Sequence, residues 1–374
     1  MNFTFTFFAT LIFSSMVSAQ SYYLLTGTYT NGDSKGIYVN RFDAGTGKIS
    51  PVSIAAGIEN PSYLAVSANG KFVYAVNENG GAKPGGVSSF AFNSKTGELT
   101  FLNYQPTSGD HPCYIATDKT GKWVFTGNYT GGNISAFPVL RDGSLGKLSQ
   151  LVNHEGKGAT PRQDKPHVHS TNFTPDQKFL LVPDLGLDKI MIYAFDASAK
   201  KPLKPAKIPS FSVNNGNGPR HLSFHPALPY VYVIEELSGT VTAFTYNGIN
   251  FSSIQNISSH PENFNGSKGS ADIHVSPDGK FVYATNRGDA NSMAIFSIDQ
   301  STGKLTLKDS VSTMGVHPRN FTIEPTGKFV LIANRDSNNI VVFARDASSG
   351  LLTQQGEPFE VPNPVFLGLV PVTN

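Results

Sequence analysis

The sequence holds a single cysteine, Cys113, among 374 residues. No disulfide can form within the chain, and no Cys-x-x-Cys or mixed Cys/His spacing offers a ligand set for a metal. No cofactor is therefore expected, and the lone thiol reads as a small buried packing residue. Charge is scarce too: Asp, Glu, Lys and Arg make up 15% of the chain and the formal net charge is +2. So weak a field excludes binding to nucleic acid or to an anionic membrane through bulk charge. A small anionic ligand could still be held by a local group of arginines.

The apolar segment 3–17 is too short to span a bilayer comfortably and has the length of a signal-peptide core. Val17-Ser18-Ala19 supplies small residues for cleavage before Gln20, although no Lys or Arg precedes the apolar run. Residues 1–19 are thus expected to direct export to the periplasm or beyond and to be removed. No lipobox cysteine follows, so residues 20–374 are expected as one soluble, monomeric domain without membrane insertion.

What the chain does have is turns and strands. It contains 36 Gly and 24 Pro, and aromatic residues reach 11%. A turn followed by an apolar strand recurs as NGKFVYAVN, TGKWVFTGN, DQKFLLVPD, LPYVYVIEE, DGKFVYATN and TGKFVLIAN. The residues after the turn, taken as Lys71, Lys122, Lys178, Tyr230, Lys280 and Lys328, lie 48 to 56 positions apart. A period near fifty in a β-rich chain means propeller blades, each a four-stranded antiparallel sheet. The N-terminal SYYLLTGTY and GIYVNRF match a second and third strand, and the C-terminal NPVFLGLV matches the missing first. The ends are expected to share one blade, closing an all-β ring of seven and leaving no exposed sheet edge.

The repeat also serves as a ruler. In each blade the start of the innermost strand and the end of the second face the same mouth of the channel. The first column reads Ser62, Cys113, His169, Arg220, Ala271, Arg319 and Val365. The next contains Tyr63, Tyr114, His221 and Asp272, and the end of the second strand contains Asn77, Asn128, Asp184, Glu236, Asn286 and Asn334. Asn there is a polar cap on nearby backbone. Glu236 departs from that default, as His169, Arg220 and Arg319 depart from a column of small or apolar residues. A carboxylate, imidazoles and guanidiniums converging on one mouth suit a small carboxylate or phosphate ester. Tyr63, Tyr114 and Tyr129 near the rim suit sugar stacking.

The blocks HVHSTNFTPD, GPRHLSFHP, EELSG, PENF with SADIHVSPDGKFVYATNR, and HPRNF are similar to those of the propeller-type bacterial 6-phosphogluconolactonases. Fungal carboxy-muconate lactonising enzymes share that fold group. The resemblance runs in order over essentially the whole chain after the leader, and it implies hydrolysis of a sugar δ-lactone. It carries catalytic roles to His169, Arg220, Glu236 and Arg287. Asp272, His274 and Arg319 are implied as substrate-orienting, with His221 and Tyr129 as further substrate contacts. Familiar members of the family are cytoplasmic, whereas the leader here points to export. Their Asn-Glu-Leu is Glu235-Glu236-Leu237 in this chain, and strand alternation turns Glu235 away from the site. Either Glu236 or His169 could take a proton from water, with the arginines on the oxyanion. A non-catalytic propeller binding a glycan or a protein through the same mouth remains the alternative.

Overall fold

The computed structural model describes residues 21–373, so the expected leader lies outside the described residues. The chain forms seven antiparallel sheets of four strands around one axis. In one representative blade the order from the channel outward is Pro219–Phe224, Tyr230–Glu235, Thr240–Asn247 and Asn250–Ser258. The last blade differs only in an outer strand made in two pieces, Leu352–Gln354 and Phe359–Glu360. The closure expected from the sequence is present: Pro364–Pro371 is innermost and pairs with Ser21–Thr28, followed by Gly36–Asp43 and Ile49–Ala56. Among the described residues no helix is long and apolar enough to cross a membrane.

Middle strands are apolar on both faces because each blade is sandwiched between two others. Tyr230, Tyr232 and Ile234 pack toward Ile273, Val282 and Phe296 of the following blade. The alternate residues Val231 and Val233 pack toward Leu181 and Ile190 of the preceding one. A strand buried on both sides needs no polar alternation, and burying each large side chain stabilises the ring by about 1.5–3 kcal/mol. The turn between first and second strands needs a residue at positive φ. Glycine provides it at Gly70, Gly121, Gly279 and Gly327, and Gln177 adopts φ 59° in the equivalent turn.

One irregularity recurs at the channel mouth. Pro219 pairs with Glu235 and His221 with Ile234, so Arg220 has no partner across the ladder. Cys113, Arg319 and Val365 stand in the same position in their blades, and the blade carrying Ala271 and Asp272 has a similar shift. A β-bulge turns its extra residue out of the ladder. The bulges therefore aim the first sequence column toward the axis.

The structure corrects one register. Tyr246 donates its backbone N–H to the Pro229 carbonyl as Phe92 does to Lys71 and Ile298 to Lys280. Pro229, not Tyr230, thus occupies the lysine position. The capping position that pairs with the innermost strand belongs to Glu235, in line with Asn128, Asn286 and Asn334. Glu236 lies one residue further on. Its backbone N–H bonds the connecting segment as those of Glu78, Tyr129, Leu185, Arg287 and Arg335 do. Glu236 and Arg287 are therefore equivalent residues of adjacent blades.

Candidate active site

Glu236 is the centre of the arrangement. Its side chain is 10% exposed, and Oε2 accepts Arg220 Nε at 3.0 Å and Arg287 Nη2 at 2.9 Å. Oε1 accepts Arg162 Nη2 at 3.1 Å. Burial alone would raise the carboxyl pKa, but Arg287, Arg220 and Arg162 bring it down to about 2. Glu235 is fully buried and turns away, accepting Thr240, Thr242, Asn217 and Asn256. Burial raises its pKa, and these four hydrogen bonds hold the carboxyl on the side away from the arginines.

Each arginine is anchored. Arg220 is 1% exposed and donates to the Ala271 carbonyl as well as to Glu236. Burial and the neighbouring charges of Arg287 and Arg319 lower its pKa to about 10, which leaves it cationic at neutral pH. The chain reaches this bulge through Gly218, whose φ of +66° and approach to Leu237 leave no room for a β-carbon. Asp188 accepts the Gly218 and Gly216 N–H groups at 2.8 and 2.7 Å and holds that turn. Arg287 donates to the Gly269 and Ser270 carbonyls at 2.8 and 3.2 Å.

His169 lies beside this group, with Nε2 3.8 Å from Glu236 Oε2. Its ring meets Tyr129 and His221 edge-on, with centroids 5.3 Å away in each case. Burial first, then the charge of Arg220, lowers the imidazole pKa well below its usual 6.5. At neutral pH His169 is an uncharged base.

His221 and Asp272 form a layer beneath. His221 Nδ1 bonds Asp272 at 2.8 Å, and its Nε2 lies 3.2 Å from Arg220 Nη1. Burial and Arg220 lower the His221 pKa to about 4, so Nε2 is free to accept from the guanidinium. Against the effect of burial, His274 and His221 hold the Asp272 carboxyl well below the usual range. His274 bonds the other oxygen of Asp272 at 3.0 Å, two residues further along the strand, away from Glu236. Tyr63 and Tyr114, expected at the rim, stack at 4.1 Å and meet Phe366 and His221 in this deeper layer. Tyr114 comes from the position after the Cys113 bulge, and Tyr63 stacks on it from the neighbouring blade.

The structure thus brings together His169, Arg220, Glu236 and Arg287, with Tyr129 beside them and His221 directly below. Asp272 touches the group only through His221, and His274 only through Asp272. Arg319 belongs to a second carboxylate across the mouth. Its Nη2 is 3.6 Å from Glu78 Oε2 and its guanidinium lies over the Tyr29 ring at 5.4 Å. Glu78 also accepts the hydroxyls of Tyr29 and Ser62. Glu78 stands in the same structural rank as Glu236, with no departure from its column to mark it in the sequence. Arg162, which also reaches Glu236, lies in a connection between blades and outside every repeat column. Cys113 is buried with Sγ 3.7 Å from His169 Nδ1, and burial pushes its thiol pKa far up. Among the described residues no group of three His, Cys, Asp or Glu is placed to hold a metal ion.

Chemically, the mouth offers a neutral base beside a fixed set of guanidiniums, a combination suited to an electrophile that gains negative charge. The family model "Lactonase, 7-bladed beta-propeller" matches residues 23–369. The 6-phosphogluconolactonase of Bacillus subtilis is 40% identical over 342 residues, which cover 91% of this chain and 95% of that protein. The protein of the same name from Formosa agariphila is 38% identical over 88% of this chain and 94% of its own length. Among solved structures, the Pseudomonas aeruginosa periplasmic gluconolactonase superposes with a TM-score of 0.89 at 36% identity, covering 94% of this chain and all of that one (100%). With the ring, its closure and a sequence match over nearly its full length, the chain belongs to the seven-bladed β-propeller lactonase family.

Proposed function

We propose that the protein hydrolyses a sugar δ-lactone, 6-phosphogluconolactone or its unphosphorylated counterpart, to the open-chain acid. The observation that carries the reading is an uncharged imidazole next to a carboxylate whose oxygens are all taken by guanidiniums. Guanidiniums donate and do not accept, and a carboxylate held near pKa 2 is a poor proton acceptor. His169 is then the base. It takes a proton from water as the water oxygen bonds to the lactone carbonyl carbon. Arg220 and Arg287 oppose the charge that forms on the carbonyl oxygen. As the carbonyl re-forms, the bond to the ring oxygen breaks and that oxygen receives the proton from His169. Glu236 keeps the arginines in place, and Tyr129, His221 and Arg319 surround the sugar. Neither a covalent enzyme intermediate nor a redox step is needed.

Export of the protein is part of the same reading. It rests on the apolar segment 3–17 and on the likeness to a periplasmic gluconolactonase. The test of function is turnover of glucono-δ-lactone and its 6-phosphate, corrected for spontaneous opening, with His169→Asn alongside. The variant is expected to lose about 10²- to 10⁴-fold in kcat/KM. A variant as active as the parent on both lactones removes His169 from the mechanism.

A further inference from the structure

Of the guanidiniums around the mouth, Arg162 is unlike the rest. Arg220 and Arg287 are buried and tied to backbone carbonyls, and Arg319 is tied to Glu78 and Tyr29. The Arg162 side chain is 61% exposed. Among the described residues its partners are Glu236 Oε1 and the Tyr129 hydroxyl, at 3.1 and 3.2 Å, both through Nη2. Nε and Nη1 are left to face solvent over the opening.

Its backbone, by contrast, is fixed. Arg162 occupies the 3-10 turn Pro161–Gln163. Gln163, the next residue, is fully buried. Its amide donates to the Leu185 carbonyl at 2.8 Å and accepts the N–H groups of Ala159 and Thr160 at 3.2 Å each. A free guanidinium edge on an anchored turn is prepared to pair with an oxyanion without ordering a loop first.

The local charge agrees. Four guanidiniums, Arg162, Arg220, Arg287 and Arg319, face two carboxylates, Glu78 and Glu236. Asp272 lies below, between its own two imidazoles. Counting Asp272, the four guanidiniums exceed the three carboxylates by one, a net positive mouth of the sign that a phosphate monoester, about −1.5 to −2 at pH 7, requires.

We propose that Arg162 is the residue with which this mouth grips the phosphate of a phosphorylated sugar lactone, and that it sets the preference for that substrate over the plain lactone. The proposal rests on the lactonase reading, and its test is built to fail separately from that reading.

The full-length protein, Arg162→Ala and Arg162→Lys are compared in kcat/KM on glucono-δ-lactone and its 6-phosphate. The quantity read is the ratio of the two values, in which any shared effect through Glu236 cancels. Loss of a charge-assisted contact lowers that ratio in Arg162→Ala by about 10- to 100-fold. Arg162→Lys, a point charge without the fork, recovers part of it. A ratio that stays within about twofold of the parent overturns the proposal, because Arg162 then serves only to steady Glu236. Calorimetric binding of 6-phosphogluconate and gluconate asks the same question without turnover. A preference for the phosphorylated acid that falls in Arg162→Ala supports the proposal, even if neither lactone is hydrolysed. An undiminished preference, or none in the parent, overturns it.

Discussion

Replacing Glu236 by Gln keeps the shape of the side chain and removes the charge that three guanidiniums share. The amide nitrogen donates, so at least one arginine is left facing another donor. For Arg220, 1% exposed, water cannot fully make up the loss. Two routes give the size of the effect. A carboxyl held at about 2 instead of 4.5 corresponds to about 3 kcal/mol of stability at neutral pH. Breaking a buried ion pair from one side costs about 3–5 kcal/mol. The two agree on a loss on the order of 3 kcal/mol. The effect also has a pH signature. A folded pKa lowered below the unfolded one stabilises fully above the unfolded value, and the stabilisation is lost as pH falls through the folded value. The gap between parent and variant should therefore be full at pH 7, shrink below about pH 4.5 and vanish near pH 2. Urea unfolding reads it through Trp123, the single tryptophan, which is buried. A gap under about 1 kcal/mol at pH 7, or one that does not change between pH 7 and pH 3, would refute this account of the arginine cluster.

Two further outcomes follow from shifted titrations. Because burial and Arg220 hold the His169 pKa well below 6.5, the free base persists on cooling the pH from 8 to 6.5. Hence kcat/KM, net of spontaneous opening, should be level over that range and fall only under more acid conditions; a half-loss at 6.5 or above contradicts a buried neutral base. Cys113 is buried and its thiol pKa is pushed far up, so a thiol-specific reagent at pH 8 should label it only in urea. Prompt labelling of the folded protein would show that the mouth opens more than this packing allows.

The ring was legible in the sequence because its signals are local. A turn glycine and a both-sides-buried strand repeat in nearly every blade, and the chain ends complement each other as strands. The site was partly legible for the same reason: His169, Arg220 and Arg319 depart from a repeated column. The register slipped where Pro229 replaces the lysine after the turn. That moved Glu236 into the capping rank, which Glu235 holds. Glu78 went unremarked because its column already mixes Tyr, Leu and Arg, so a carboxylate there departs from no pattern. Arg162 could not be found by column at all. It reaches Glu236 through a connection whose path depends on Gln163 being buried against Leu185, a tertiary fact with no spacing to announce it. Tyr114 follows a bulge, which shifts which residue looks outward, so it packs with Tyr63 against Phe366 and His221 instead of standing at the rim.

That bulge has a consequence for how such a ring can change its chemistry. A residue standing outside the ladder exchanges no cross-strand hydrogen bonds, so the sheet makes little demand on its side chain. Cys113, Arg220, Arg319 and Val365 occupy that one socket in four blades: a thiol, two cations and a hydrocarbon on the same backbone. Substitutions there can swap what the opening presents to a ligand, one blade at a time, while the pairing that holds each sheet together stays as it is.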